Sequence, residues 1–165
     1  MLVGTGDTSA AVHRLTLGIT ALRSTGATLY VPWFLSNLAR AYGDLDELDN
    51  ARRCIDEAMT AAEMTKERLY EAEVNRVAGE VALKSPERDV TKAETYFERA
   101  LAVARQQQAR SWELRAAMSM ARLWRDQGKP QQARELLAPV YGWFTEGHNT
   151  RDLKEAKALL EELAA

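Results

Sequence analysis

The chain has 165 residues, of which 46% are hydrophobic and 28% charged, a balance typical of a soluble globular protein. Its net charge of -2 argues against a nucleic-acid-binding surface, and its single cysteine excludes an internal disulfide and favours a reducing compartment, the cytoplasm. Ala and Leu far outnumber Val and Ile, so the composition predicts an all-α protein. The longest apolar run, 136–144, is too short to span a membrane, and we expect neither a signal peptide nor membrane contact.

Apolar residues that recur every three or four positions predict eight helices. A single helix over 8–23 comes first, and a single helix over 150–163 comes last. Between them the pattern predicts three helix pairs, in repeat units covering about 28–66, 67–108 and 109–148. We therefore expect residues 1–165 to form a single helical repeat domain.

The turns inside the pairs carry residues that start or stop helices. Asp46 or Asp49 is the expected N-cap of the second helix in the first pair. Gly128 and Pro130 stand at the third turn, where Gly suits the end of one helix and Pro the first turn of the next. These signals favour short connections and antiparallel neighbours.

Residues of similar size or chemical type recur along the sequence at intervals of about 40 residues. Small residues at Ala51, Ala93 and Ala133 are separated by 42 and then 40 residues, and a larger apolar residue follows each of them four positions later. Aromatic residues at 30, 70 and 112, and small residues at 39, 79 and 121, recur with steps of 40 and 42. Because small residues let two helix backbones approach closely, we expect the three alanines to be buried at helix crossings.

The spacing inside each unit resembles that of the tetratricopeptide repeat. Ala121, Trp124, Gly128 and Ala133 match its small, aromatic, glycine and alanine positions, although the period exceeds the usual ~34 residues. The resemblance implies an all-α, tetratricopeptide-like right-handed superhelix of about eight antiparallel helices. It also implies a scaffold that binds other proteins.

A second resemblance covers nearly the whole chain. Segments 34–43 (FLSNLARAYG), 71–83 (EAEVNRVAGEVAL) and 134–163 (RELLAPVYGWFTEGHNTRDLKEAKALLEEL) look like the C-terminal repeat region of bacterial multidomain signalling proteins. Those proteins join an adenylate/guanylate cyclase domain, or a DNA-binding domain, to an AAA-type ATPase module. The resemblance implies a role in bacterial signal transduction, without the activity of the cyclase or ATPase domains.

No catalytic or metal-binding constellation stands out. Residues 4–7 are Gly-rich but lack the Lys of a phosphate-binding loop, so a flexible N-terminus is expected there, and the acidic turn 44–49 lacks the distal Glu of a calcium loop. His13 and His148 are expected at the surface, and Cys54 as a small, partly buried filler rather than a reactive thiol. We expect no catalytic residues, no bound metal, no cofactor and no enzymatic activity.

The first helix of each pair supplies the candidate binding residues. In tetratricopeptide-like stacks these helices line a concave surface, and their arginines suit a peptide partner with acidic character. The alternative is a solvated face with pairs inside one helix, such as Arg76 with Glu80. A small-ligand sensor using the same groove is the alternative function. The predicted groove positions are Trp33, Asn37, Arg40, Arg76, Glu80, Arg115, Ser119 and Arg122.

The two single helices differ in their outer faces. Asn149 or Thr150 should cap the last helix, and its predicted buried stripe is Leu153, Ala156, Leu160 and Leu163. The charged residues Lys154, Glu155, Glu161 and Glu162 are expected on the opposite, outer face. The first helix matches a second helix of a pair, because Ala11 lies 40 residues before Ala51. Its stripe at 12, 15, 19 and 22 should pack on the next pair. A further stripe at 10, 17 and 21 predicts either a longer solenoid or self-association through this helix.

Overall fold

The computed structural model describes residues 5–66, 68–86 and 88–164. These residues form eight α-helices and no β-strand, which confirms the predicted fold class. The predicted boundaries hold to within about one helical turn. The helices are α1 (Thr5–Ser24), α2 (Val31–Asp44), α3 (Leu48–Thr65), α4 (Glu71–Lys84), α5 (Val90–Gln106), α6 (Arg110–Asp126), α7 (Pro130–Gly142) and α8 (Arg151–Glu162).

The chain divides into two compact units within α5, an N-terminal unit ending at Tyr96 and a C-terminal unit beginning at Phe97. In the N-terminal unit, α2 packs on α1, α3 and α4, and α3 also packs on α4. In the C-terminal unit, α6, α7 and α8 pack on one another. None of the helices in the described part of the chain is both long and apolar enough to cross a membrane.

The core of the N-terminal unit is built from small and aliphatic side chains. Leu35, Ala39, Ile55 and Val77 are buried there together with Ile19 of α1. The partly buried residues 12, 15 and 22 of α1 pack against this cluster, as the sequence pattern predicts. The apolar stripe of α1 therefore contributes to the core.

The core of the C-terminal unit centres on α6 and α7. Phe97, Leu114, Leu123 and Leu137 are fully buried there. In α8, Leu159 is buried and Leu160 only partly so, which corrects the predicted stripe by one position. The burial of α8 is completed by Leu153, Ala156 and Leu163.

The repeated small residues lie where the repeat pattern predicts them. Ala51, Ala93 and Ala133 are each 0% exposed, and Ile55, Phe97 and Leu137 are also buried. A methyl group at each alanine leaves room for a neighbouring helix, and the larger residue one turn later fills the space beside it. The expected burial of the three alanines is confirmed.

Helix ends agree with the sequence in part. Gly128 adopts a left-handed conformation with φ +75°, and the Lys129 backbone N–H donates to the Trp124 carbonyl at 2.8 Å, which closes α6 at the expected glycine. The predicted cap of α3 is wrong: Glu47 occupies the N-cap without a side-chain bond, Asp46 takes a left-handed turn and Asp49 lies inside the helix. Backbone geometry determines which residue is the N-cap, because Asp46 adopts the left-handed conformation that reverses the chain direction in this turn.

The first turns of α8 and α1 agree with the sequence prediction only in part. Thr150 is the N-cap of α8 without a side-chain hydrogen bond. Residues 5–7 belong to α1, so the expected flexible segment is wrong over those residues, whereas residue 4 lies outside the described part. A helical turn forms there because nothing in Thr5, Gly6 or Asp7 forbids it, and Asp7 favours a helix N-terminus.

We predict that Ala133→Leu lowers the free energy of unfolding by about 1–3 kcal/mol, because a larger side chain overpacks a closed site. Ala138→Leu, on the exposed side of the same helix, is the matched control and should change it by less than about 0.5 kcal/mol. Urea denaturation followed by circular dichroism measures both. Equal effects of the two substitutions would contradict the assigned packing of α7.

Candidate interaction surface

Three predicted groove residues lie on α2 and are linked to one another. The Trp33 ring packs edge-on against Phe34, with 4.9 Å between centroids. Asn37 Nδ2 donates to the Trp33 carbonyl at 2.8 Å, and Asn37 Oδ1 accepts from Arg40 Nη2 at 3.1 Å. Asn37 thus orients the Arg40 guanidinium, which is exposed.

Arg76 of α4 is held by carboxylates of its own helix. Its Nε and Nη2 atoms donate to the two oxygens of Glu73 at 2.8 and 2.7 Å, and its Nη1 atom donates to Glu80. Arg76 and Glu73 are both buried. Burial by itself would lower the pKa of the guanidinium, but the hydrogen bonds and charges of Glu73 and Glu80 outweigh it and raise the pKa.

The cluster that Arg76 forms with Glu73 and Glu80, called the Arg76 cluster below, therefore has a structural role. The intrahelical pairing considered as the alternative for Arg76 and Glu80 is present. The sequence analysis missed Glu73, although its spacing of three residues from Arg76 is a known helical pairing distance. Since one cation is shared by two carboxylates, the cluster has no positive charge left for an acidic partner.

A second ion pair joins α2 to α4. Lys84 Nζ donates to Asp44, and the two residues are 40 positions apart, which is the repeat period. They occupy equivalent places on neighbouring first helices, and this spacing is the signal that could have predicted the pair. The lysine stem passes beside Gly43, where a Cβ atom would lie 3.4 Å from Lys84 Cδ, close to an ordinary contact distance.

A cleft of about 380 Å³ lies between α2 and α4. Val77, Val81 and Leu83 supply its apolar surface, and charged side chains border it. Among these, Lys84 is paired with Asp44, and Glu80 with Arg76. Arg40 forms no ion pair with any residue that the structure describes. Its guanidinium is therefore the positive group at this cleft that remains available to bind a carboxylate of another molecule.

In the C-terminal unit, arginines of α6 are paired with carboxylates of α8. Arg115 Nε donates to Asp152 at 2.6 Å, and its guanidinium stacks over Trp112 at 5.0 Å from the ring centroid. Arg122 Nη2 donates to Glu155 at 3.2 Å. A third arginine, Arg125, donates to Glu162 at 2.8 Å.

The pairing between α6 and α8 corrects the predicted outer face of α8. Burial by itself would raise the pKa of Glu155, but Arg151 and Arg122 outweigh it and lower the pKa below its usual value. Glu155 and Glu162 were expected on the outer face, yet they contact α6. Ser119, also predicted in the groove, is buried.

The eight predicted positions thus fall into two groups, five in the N-terminal unit and three in the C-terminal unit. Within the N-terminal unit, Arg40 and Glu80 border the same cleft. That all eight share one binding face stays a prediction.

Sequence reasoning also missed an exposed apolar patch in the N-terminal unit. Leu29 and Tyr30 precede α2, and Leu69 and Tyr70 precede α4 at the same repeat positions. The Tyr30 and Tyr70 rings are 6.1 Å apart, and Trp33 lies 6.2 Å from Tyr70. The repeated Leu-Tyr dipeptide was the available signal for this patch.

Cys54 and the two histidines lie as expected. Burial raises the pKa of the Cys54 thiol to about 11, Glu57 raises it further, and Arg53 and Arg23 lower it by less than burial raises it. His13 is exposed, and His148 is exposed with its Nδ1 atom 3.4 Å from the Tyr141 hydroxyl. Across the described ranges, no three His, Cys, Asp or Glu side chains cluster in a way that could hold a metal ion.

Comparison with known proteins agrees with this geometry. The family model of the tetratricopeptide repeat matches residues 33–65, which cover most of α2 and all of α3. No curated protein matches the chain. The match supports a tetratricopeptide-like repeat region, and such repeats generally mediate contacts between proteins.

We predict that Arg76→Met lowers the free energy of unfolding by about 3–5 kcal/mol, because it removes the guanidinium that donates to both oxygens of the buried Glu73. Arg52→Met is the matched control, since Arg52 pairs with Asp49 three residues away at 3.4 Å on the surface. This exposed pair should contribute less than about 1 kcal/mol. A loss at Arg76 as small as that at Arg52 would contradict a buried, shared ion pair.

We also predict slow alkylation of Cys54 in the folded protein. With a pKa of about 11, the thiol has little thiolate at pH 8. Iodoacetamide labelling at pH 8, followed by mass spectrometry, should be at least about tenfold slower than for the same protein in urea. Equal rates in the two conditions would show that the thiol is neither buried nor shifted.

Proposed function

We propose that this chain is a protein-interaction module that binds an extended segment of a partner along α2 and α4 of its N-terminal unit. The observation that supports the proposal is the exposed Arg40 guanidinium, which has no ion pair with a described residue and stands beside a cleft with apolar walls. Arginine binds carboxylates through two parallel hydrogen bonds, and Asn37 already restricts its orientation. The partner therefore places a carboxylate at Arg40 and an aliphatic side chain against Val77 and Val81.

The charges around the cleft favour a partner with few acidic residues over one with a continuous stretch of acidic residues. Arg76 is shared by two carboxylates, and Lys84 is paired with Asp44. A continuous stretch of acidic residues would meet Glu80, which borders the cleft, as a like charge. The cleft is bordered by the exposed side chains of Arg40 and Lys84, and this opening favours an extended peptide over an enclosed small ligand.

The wider setting of the module follows from the sequence resemblance. We propose that it serves a bacterial signalling protein of the cyclase–ATPase type, acts in the cytoplasm and contributes binding rather than catalysis. Tetratricopeptide repeats are generally non-catalytic, which supports this assignment. Purified protein should accordingly show no cyclase or ATPase turnover, and turnover abolished by one point substitution in this chain would contradict the proposal.

The test uses peptides selected on the wild-type protein from a displayed library of random twelve-residue sequences. We predict selected peptides that contain a carboxylate next to an aliphatic residue, and an increase in dissociation constant of about tenfold or more with Arg40→Glu. Isothermal titration calorimetry measures the dissociation constants of the two proteins for the same synthetic peptide.

Arg53→Glu is the matched control. Arg53 is also exposed and also donates to an asparagine three residues earlier, Asn50, but it does not line the cleft. Binding should be within about twofold of wild type in this variant. Equal losses in both variants, or selection of peptides without carboxylates, would contradict a site at Arg40.

A further inference from the structure

The accessible part of α2 is a narrow line of side chains. Eight of its fourteen residues are buried, and Phe34 and Tyr42 pack against the core. The four that remain are Trp33, Asn37, Arg40 and Asp44. They lie within about 60° of one another around the helix axis. A partner chain that runs along α2 therefore contacts these side chains one after another.

The exposed apolar patch lies at the N-terminal end of this line. Tyr30 is 47% exposed, and its ring lies 6.1 Å from the ring of Tyr70. Trp33 is partly exposed, and its ring lies 6.2 Å from the same Tyr70 ring at an angle of 41°. The three rings thus form one aromatic surface at the point where the line begins.

Trp33 also supplies a hydrogen-bond donor to this patch. Its indole N–H has no partner among the described residues and is not a buried polar atom, so it is accessible. Proline-rich segments in the polyproline II conformation bind to surfaces lined with aromatic rings. Their backbone makes no internal hydrogen bonds, so its carbonyl groups can accept from an indole N–H. The patch therefore suits a proline-containing segment.

The distance between the patch and Arg40 selects the conformation of that segment. Trp33 and Arg40 are seven residues apart, so α2 rises about 10.5 Å between them. In a polyproline II helix, residues three apart lie on the same side and about 9.3 Å from each other. In a β-strand, residues on the same side are about 7 Å apart at a spacing of two and about 13 Å apart at a spacing of four. The polyproline II spacing matches the distance on α2 most closely.

We propose that the partner segment is a polyproline II helix with a proline on the exposed apolar patch and a carboxylate at Arg40, carried by the residue three positions from that proline. The proposal rests on the proposed function and specifies the partner's chemistry. The charges agree with it, because Arg40 has no ion pair with a described residue. Arg68 and Glu71, beside the patch, pair with each other, so an uncharged proline suits this end.

Synthetic nine-residue alanine peptides with blocked ends test the spacing. Each contains one proline and one glutamate, separated by two, three or four positions and placed in both orders. Isothermal titration calorimetry should give a dissociation constant at least about fivefold lower at a spacing of three than at the other two, because only this spacing places proline on the rings. Equal constants at the three spacings overturn the proposal.

Tyr30→Ala tests the aromatic contact. It should raise the dissociation constant of the best peptide at least about fivefold. Trp143→Ala is the matched control, since Trp143 is also an exposed aromatic residue, 55% accessible, but belongs to the C-terminal unit. It should leave the constant within about twofold of wild type, and circular dichroism confirms that both variants are folded. Equal effects of the two substitutions contradict a contact at the patch.

An oligoproline peptide without a carboxylate separates this proposal from the proposed function. At about 1 mM it should shift the NMR signal of the Trp33 indole N–H, assigned with Trp33→Phe, equally in wild type and in Arg40→Glu. No shift, together with weaker binding of the glutamate peptides by Arg40→Glu, overturns the proline contact and upholds the carboxylate site. A shift without any effect of Arg40→Glu on the glutamate peptides overturns the carboxylate site and, with it, the three-residue spacing.

Discussion

The close approach of helices at the repeated small residues is the constraint on which the rest of the structure depends. Ala51, Ala93 and Ala133 are completely inaccessible to solvent. A helix pair of this length cannot bury its apolar face alone, so stability comes from contacts between neighbours that must all fit at this spacing. A larger residue at any of these positions would push the helices apart. The distance between charged residues on neighbouring first helices therefore depends on the same close packing.

That spacing decides which charges remain for binding. Lys84 and Asp44, one repeat apart, pair between neighbouring first helices. Arginines of α6 pair with carboxylates of α8 that lie 33 or 37 residues later in the chain. Arg76 is satisfied within its own helix. Charged side chains on this surface therefore pair either within one helix or between neighbouring helices. Arg40 differs because its hydrogen bond goes to a neutral amide, and this leaves its charge available.

Sequence periodicity predicted the helices, the burial of the three alanines and the glycine that ends α6, because each depends on local spacing or backbone conformation. Periodicity failed where several neighbouring side chains could occupy one structural position. Glu47 rather than either aspartate lies at the N-cap of α3, and Leu159 rather than Leu160 is buried in α8. The partners of Arg115 and Arg122 could not be predicted either, because they come from a helix more than 30 residues away whose rotation is set by packing.

The most direct test of the central claim is an NMR experiment on protein labelled with ¹³C at its alanine methyl groups. The account predicts that the Ala51 methyl shows nuclear Overhauser contacts to side chains of α2, and the Ala133 methyl to side chains of α6. Ala138, on the exposed side of α7, should show contacts only within its own helix. Methyl groups of Ala51 and Ala133 that contact only their own helices would contradict close crossings at the repeated small residues.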